Sequence, residues 1–250
     1  MSAPFLVSCY MQLFYSPVVT VPEHQLSEEE SRHLIKVLRM HINDRVYITD
    51  GGGNLYSAVI IQAHDKRCIV RTSLEDTDTA PFPHLTIVIA MPKKTERFEW
   101  FLEKATELGI NRIVPIVSQR SERSKPRTDR WLRVIVAAMK QSHRFHLPQL
   151  DVPISFEDMI NIPWPETTGK FIAHCLDTPR ENVWDAIIRG KDAVIAIGPE
   201  GDFTEKEVEM ATAKGWIPIN LDEYRLRTET AAISCVHGYR WLHKTLLQRE

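Results

Sequence analysis

Long apolar runs are missing from this 250-residue chain. Stretches such as Ala193 to Ile197 and Leu85 to Met91 fall far short of the roughly 20 apolar residues that cross a bilayer as a helix. The start, MSAPFLVSCYMQLFYSP, has no basic segment followed by a clean apolar core, so no secretory leader is read and a cytoplasmic protein is expected. Cysteine is sparse. Cys9, Cys68, Cys175 and Cys235 are widely spaced with no C-x-x-C pair, and the ten histidines form no H-x-x-x-H or H-E-x-x-H arrangement. A disulfide framework is therefore not indicated, and no metal site is expected. Also absent are an internal repeat, a low-complexity tract, the lysine-bearing P-loop and the G-x-G-x-x-G fingerprint.

What is present is an ordinary globular composition, 43% hydrophobic and 26% charged, with a formal net charge of −2. That near-neutral total hides a split. Residues 1–80 carry 7 basic against 10 acidic side chains, residues 81–150 carry 13 against 6, and residues 151–250 carry 11 against 17. Most of the central excess lies between Arg112 and Arg144, including Arg120, Arg123, Lys125, Arg127, Arg130, Arg133 and Lys140. Such a density suits a polyanion such as nucleic acid, and on charge alone it equally suits a solvated helix face beside a loop.

Hydrophobic periodicity divides the chain in two. Up to about residue 75 the pattern is short and β-rich, as in RVYIT (45–49) and YSAVII (56–61) around DGGGN (50–54), with one helical signal from Ser27 to Val37. This is a small β-barrel pattern. The acidic, proline-bounded stretch from Glu75 to Pro83 reads as a linker, which gives domains of 1–78 and 79–250. Strands then alternate with helices. Strands are expected at Leu85–Ala90, Ile113–Val117, Phe171–Cys175, Ala193–Ile197 and Ile217–Leu221, and helices at Thr95–Leu108, Arg130–Ser142, Glu181–Ile188, Thr204–Lys214 and Thr228–Leu247. Repeated βα units imply an α/β domain with a mainly parallel sheet whose ligands bind at the carboxyl ends of its strands.

One such end is AVIAIGPEGDFTEKEVE, residues 193–209, where a buried strand runs into Gly198-Pro199-Glu200-Gly201-Asp202 and then into a capping-box helix start. Two glycines let a ligand come close, while Glu200 and Asp202 would repel a pyrophosphate. A neutral or cationic ligand, or a tight connection with none, fits this turn. A second strand-end loop, INLDEYRLRTETAA (219–232), repeats the design.

With these two segments the chain resembles the SPOUT (trefoil-knot) RNA methyltransferases, and within them the RsmE family, which makes N3-methyluridine in 16S ribosomal RNA. The resemblance rests on Ile197-Gly-Pro-Glu-Gly201 with Phe203, Thr204 and Glu207, and on Arg225-Leu-Arg-Thr-Glu-Thr-Ala231. It extends to Lys104-Ala-Thr-Glu-Leu-Gly-Ile110 with Ile113 and Pro115, to Arg120-Ser121, to Gln141-Ser142 with Arg144 and Pro148, and to His33 with Val37-Leu38-Arg39. The family usually has glycine where this chain has Asn43, Asp202 and Asp222, a departure that bears on local loop conformation.

The resemblance implies a C-terminal α/β trefoil-knot domain, an N-terminal PUA-like barrel that helps grip RNA, and a homodimer with a shared site. It also implies S-adenosylmethionine as cofactor, held by three strand-end loops. The residues expected around it are Leu176, Ile197, Gly198, Glu200, Gly201, Leu221, Leu226, Arg227 and Thr228. Methylating uracil N3 removes a weakly acidic proton and spreads charge over O2 and O4, so cationic donors are required. Arg227 and Arg144 are the candidates, with Glu229 as proton acceptor or as the partner that orients an arginine, unless it only caps its helix. Arg39, Arg120, Arg123 and Lys125 are the expected RNA contacts. The expected partner is 16S ribosomal RNA or the small ribosomal subunit. A non-catalytic RNA-binding assembly factor and a knotted methyltransferase of another RNA are the alternatives.

Overall fold

The computed structural model describes residues 11–121, 126–188 and 190–247, with side chains as far as His243. The chain forms two compact units, one of Met1–Ala80 with Val136–Leu147 and one of Pro81–Ile135 with Pro148–Glu250. The division falls inside a helix.

In the first unit, β1 (Leu13–Tyr15), β2 (Glu23–Gln25), β3 (Arg45–Thr49), β4 (Asn54–Gln62) and β5 (Ile69–Thr77) form one sheet in the order β1-β3-β4-β5-β2. Its pairings are antiparallel except for β1 with β3. Between β2 and β3, α1 (Glu28–Arg32) starts on a Ser27 cap and runs on as a π-helical turn, His33–Val37. Alternation sends Val46, Ile48, Ala58, Ile60 and Val70 inward, where they meet Phe14, Leu26 and Leu34 in one core. The sequence reading places Glu75 onward in a linker, yet β5 continues to Thr77 because its register with β4 extends to Asn54 opposite Thr77.

The second unit holds an all-parallel sheet with helices on both faces. Its elements are β6 (Leu85–Ala90), α2 (Thr95–Leu108), β7 (Arg112–Val117), α3 (Thr128–Gln141), β8 (Gln149–Leu150), β9 (Ile154–Ser155), α4 (Phe156–Ile160), β10 (Gly169–Ala173), β11 (Glu181–Asn182), α5 (Val183–Ala186), β12 (Ala193–Ile197), α6 (Glu205–Ala213), β13 (Ile217–Asn220) and α7 (Thr228–Leu247). Strand order is β11-β13-β10-β12-β6-β7-β8, with β9 also on β7. Central β6 and β12 are buried at every position, as their almost wholly apolar sequences, interrupted by Thr86 alone, require when both faces are covered. On one face Phe156, Met159, Phe203, Val208 and Trp216 pack on Val88, Val114, Ile172 and Val194. Over the other, α7 packs on α2, β6 and β12.

One helical expectation fails. Glu181–Ile188 is a two-residue strand followed by a single helical turn, because Glu181 and Asn182 pair with Ile219 and Asn220 of β13 before Asn182 caps α5. Sheet pairing overrides local propensity there.

Candidate active site

The three loops singled out in the sequence meet because their strands are neighbours. Within the order β13-β10-β12, Ala173 is in register with Ile219 on one side and Ile197 on the other. Parallel strands that end level open their loops onto one rim, the usual ligand position of such sheets. The loops after β10, β12 and β13 enclose a cleft of about 510 Å³, within the roughly 300–1,000 Å³ typical of small-molecule sites.

The turn after β12 is built from contacts that only certain residues permit. A Cβ at Gly198 would lie 3.1 Å from the backbone nitrogen of Phe203 and 3.2 Å from its ring, a tight contact that the turn would have to give way to accommodate. Gly201 lies against Arg120, whose Nη1 donates to the Gly201 carbonyl at 2.8 Å. Asp202 takes φ 64°, a left-handed conformation that aspartate tolerates better than most residues. Its carboxylate accepts the Cys175 N–H at 2.7 Å and the Phe203 N–H at 2.8 Å, tying the β10 loop to the β12 loop. Asn43 likewise takes φ 75°, so at both positions a short polar side chain sustains the left-handed backbone that glycine adopts most readily. Asp222 is outside that region, and its carboxylate accepts the Tyr224 N–H.

Beyond the turn, Thr204 and Glu207 form the expected capping box at the start of α6. Buried Glu207 does more than cap, because its second oxygen accepts the Gln119 N–H at 2.8 Å. The hydroxyl of buried Thr228, at the start of α7, donates to the Gly198 carbonyl at 2.9 Å. These bonds fix the turn from both sides.

Leu176, Ile197, Gly198, Glu200, Gly201, Leu221, Leu226, Arg227 and Thr228 all line the cleft, together with Arg120. Apolar side chains supply walls, Glu200, Asp202 and Asp222 supply negative charge, and Arg120, Arg180, Arg225 and Arg227 supply positive charge. Among the described residues, no lysine is in the lining. Such a mixture suits a flat, amphipathic ligand carrying both signs of charge and lacks the grip of a phosphate cradle. In the wall, the buried His174 ring is pushed down from the ordinary histidine value by burial, with Asp202 opposing and Arg180 reinforcing. It is therefore neutral at pH 7. Its Nδ1 accepts the Leu176 N–H at 3.2 Å, which places the proton on Nε2, a buried atom with no hydrogen-bond partner.

Residues 79–239 match the RNA methyltransferase domain family, and residues 26–73 match the RNA methyltransferase PUA domain family. A ribosomal RNA small subunit methyltransferase E from Aquifex aeolicus is 31% identical over 233 residues, 90% of this chain and 97% of that protein. Its namesake from Synechocystis sp. is 31% identical over 214 residues, 82% and 69% of the two chains. The chain belongs to the ribosomal RNA small subunit methyltransferase E family. Solved structures agree. A probable rRNA-methyltransferase from Porphyromonas gingivalis superposes with TM-score 0.85 at 36% identity, covering 94% of this chain and 100% of that one. A methyltransferase E from Neisseria gonorrhoeae, bound to S-adenosyl methionine, superposes with TM-score 0.84 at 26% identity, covering 94% and 98%. The architecture is thus that of the α/β trefoil-knot (SPOUT) methyltransferases, with a PUA-like N-terminal domain.

Against this family background, the remaining expected site residues separate. Glu229 does not line the cleft. It is buried at the start of α7, with Arg97 Nε 3.5 Å away. Arg144 belongs to the first unit, where burial lowers its guanidinium from the ordinary value and Asp78 opposes the shift. Arg39 is exposed in the same unit with φ 56°. Arg123 and Lys125 lie outside the described residues. Arg120 is engaged with the turn after β12 through the Gly201 carbonyl. The sequence reading missed His174, Arg180 and Arg97. A strand-end position was the available signal for His174; nothing local distinguished the two arginines. Among the described residues, no group of three or more His, Cys, Asp or Glu could hold a metal ion, and no helix is long and apolar enough to cross a membrane.

Proposed function

We propose that this chain transfers the methyl group of S-adenosylmethionine to N3 of a uridine in 16S ribosomal RNA. The cleft carries the reading: three level strand-end loops, a Pro199-Glu200 turn whose glycines bring backbone close, leucine walls and a lining of mixed charge. Those residues fit the cofactor. An adenine can lie between Leu176, Leu221 and Leu226 with its edge read by main-chain groups, and Glu200 tolerates a sulfonium where it would repel a phosphate. When bound, that cofactor supplies an electrophilic methyl group on a positively charged sulfur. Membership of the family and the S-adenosyl methionine bound to the Neisseria relative support the same reading.

The chain's own residues supply positioning and charge. Arg227, exposed at the cleft, is the donor proposed for the uracil oxygens as negative charge develops. Arg144 is the second proposed donor. Glu229 is proposed to hold an arginine rather than to accept the proton, because its carboxylate faces Arg97. Residues 1–78 are proposed as the RNA-gripping domain and 79–250 as the catalytic one, with Arg39, Arg120, Arg123 and Lys125 on the RNA path. The proposed working form is a cytoplasmic homodimer.

Nucleoside mass spectrometry of small-subunit ribosomal RNA tests the reading, using cells that lack this protein. Loss of N3-methyluridine, restored by the purified protein with S-adenosylmethionine, is expected. An unchanged N3-methyluridine peak would overturn it, and binding of the RNA without methyl transfer would identify an assembly factor instead.

A further inference from the structure

Arg97 was not among the residues that the sequence pointed to, yet it stands between Glu200, which lines the cleft, and Glu229, which is buried at the start of α7. It lies in the first turn of α2, after β6, whose neighbour in the sheet is β12. Its Nε is 3.5 Å from Glu229 Oε1, and its Nη1 is 3.8 Å from Glu200 Oε1. The Lys93 N–H reaches the same Glu200 oxygen at 3.4 Å. Glu229 is buried, and its other oxygen has no hydrogen-bond partner. A carboxylate withdrawn from water needs a compensating charge, and the dipole of α7 covers only part of that need. Among the described residues, Arg97 is the cation within ion-pair distance of it.

The consequence reaches the cleft through two parallel ties. Thr228, next to Glu229, donates to the Gly198 carbonyl at the start of the turn. Glu200, two residues further, is joined through Arg97 to Glu229 itself. We propose that Arg97 is a positioning residue that clamps Glu200 of the turn to Glu229 of α7, and so sets the cleft for the methyl donor. This role rests on the S-adenosylmethionine reading given above. The forked guanidinium is what allows one side chain to serve both acids, which a lysine ammonium does less well.

Titration calorimetry with S-adenosylmethionine tests it on the full-length protein, with circular dichroism as the check on folding. Wild type is expected to bind, Arg97→Ala to bind at least about 10-fold more weakly, and Arg97→Lys to recover part of the loss. In turnover, the KM for S-adenosylmethionine should rise in Arg97→Ala while kcat at saturating cofactor is retained. The double variant Arg97→Ala/Glu229→Gln should bind no worse than Arg97→Ala alone, since it leaves no unpaired buried carboxylate. If Arg97→Ala unfolds, Arg97→Lys and the double variant carry the comparison. Unchanged affinity in the Arg97 variants, strictly additive losses in the double variant, or a fall in kcat alone would overturn the clamp. Absence of heat with wild type would instead remove the methyl-donor reading, and this role with it.

Discussion

Arg227 and Glu229 are two residues apart, and the structure gives them opposite surroundings: Arg227 is exposed at the cleft, whereas Glu229 is buried beside Arg97. The start of α7 explains the difference, because helical geometry turns successive side chains about its axis and sends Thr228 and Glu229 inward. An exposed arginine outside a packed network contributes little to stability, within about 0.5 kcal/mol. Arg227→Ala should therefore keep the wild-type unfolding midpoint in urea while slowing methyl transfer by about 100-fold, the usual cost of losing one donor to a developing anion. Retained turnover in that variant would remove Arg227 from the mechanism. The sequence motif Arg225 to Ala231 held both residues, but only burial distinguishes the candidate donor from the paired acid.

Among the elements, the turn after β12 depends on neighbours that arrive from the loops after β7 and β10 and from the start of α7. Asp202 accepts from Cys175, Arg120 donates to Gly201, and Thr228 donates to Gly198. Thr228→Val keeps the shape of that side chain and removes the donated hydrogen bond, a loss of about 1–2 kcal/mol for a buried group. Chemical denaturation should show that loss, and calorimetry should show weaker S-adenosylmethionine binding, since the Gly198 carbonyl is no longer held. Equal affinity in Thr228→Val would mean that the turn keeps its shape without α7. The strand, the turn and the capping box were legible in the sequence because each rests on residues within a few positions. The length of α5 was not, since β13 draws Glu181 and Asn182 into the sheet.

Across the whole molecule, charge is segregated along the chain, with a basic middle between two acidic flanks. A polyanion bound there releases counterions, so its affinity should fall with salt, by about 0.7 in the logarithmic slope for each single-strand phosphate contact. Lys125→Ala should weaken binding to a 16S ribosomal RNA fragment and reduce that slope by about one contact, measured by fluorescence anisotropy across a salt series. An unchanged slope would take Lys125 off the RNA path. By itself, the sequence determined the α/β class, the alternation of strands and helices, and the glycine turn, because periodicity and local backbone chemistry act over a few residues. Tertiary structure decided the rest. Only the sheet order β13-β10-β12 brings three loops level around one cleft, and only folding places Arg97 between Glu200 and Glu229, since nothing in a linear chain couples residues that far apart until packing brings them together.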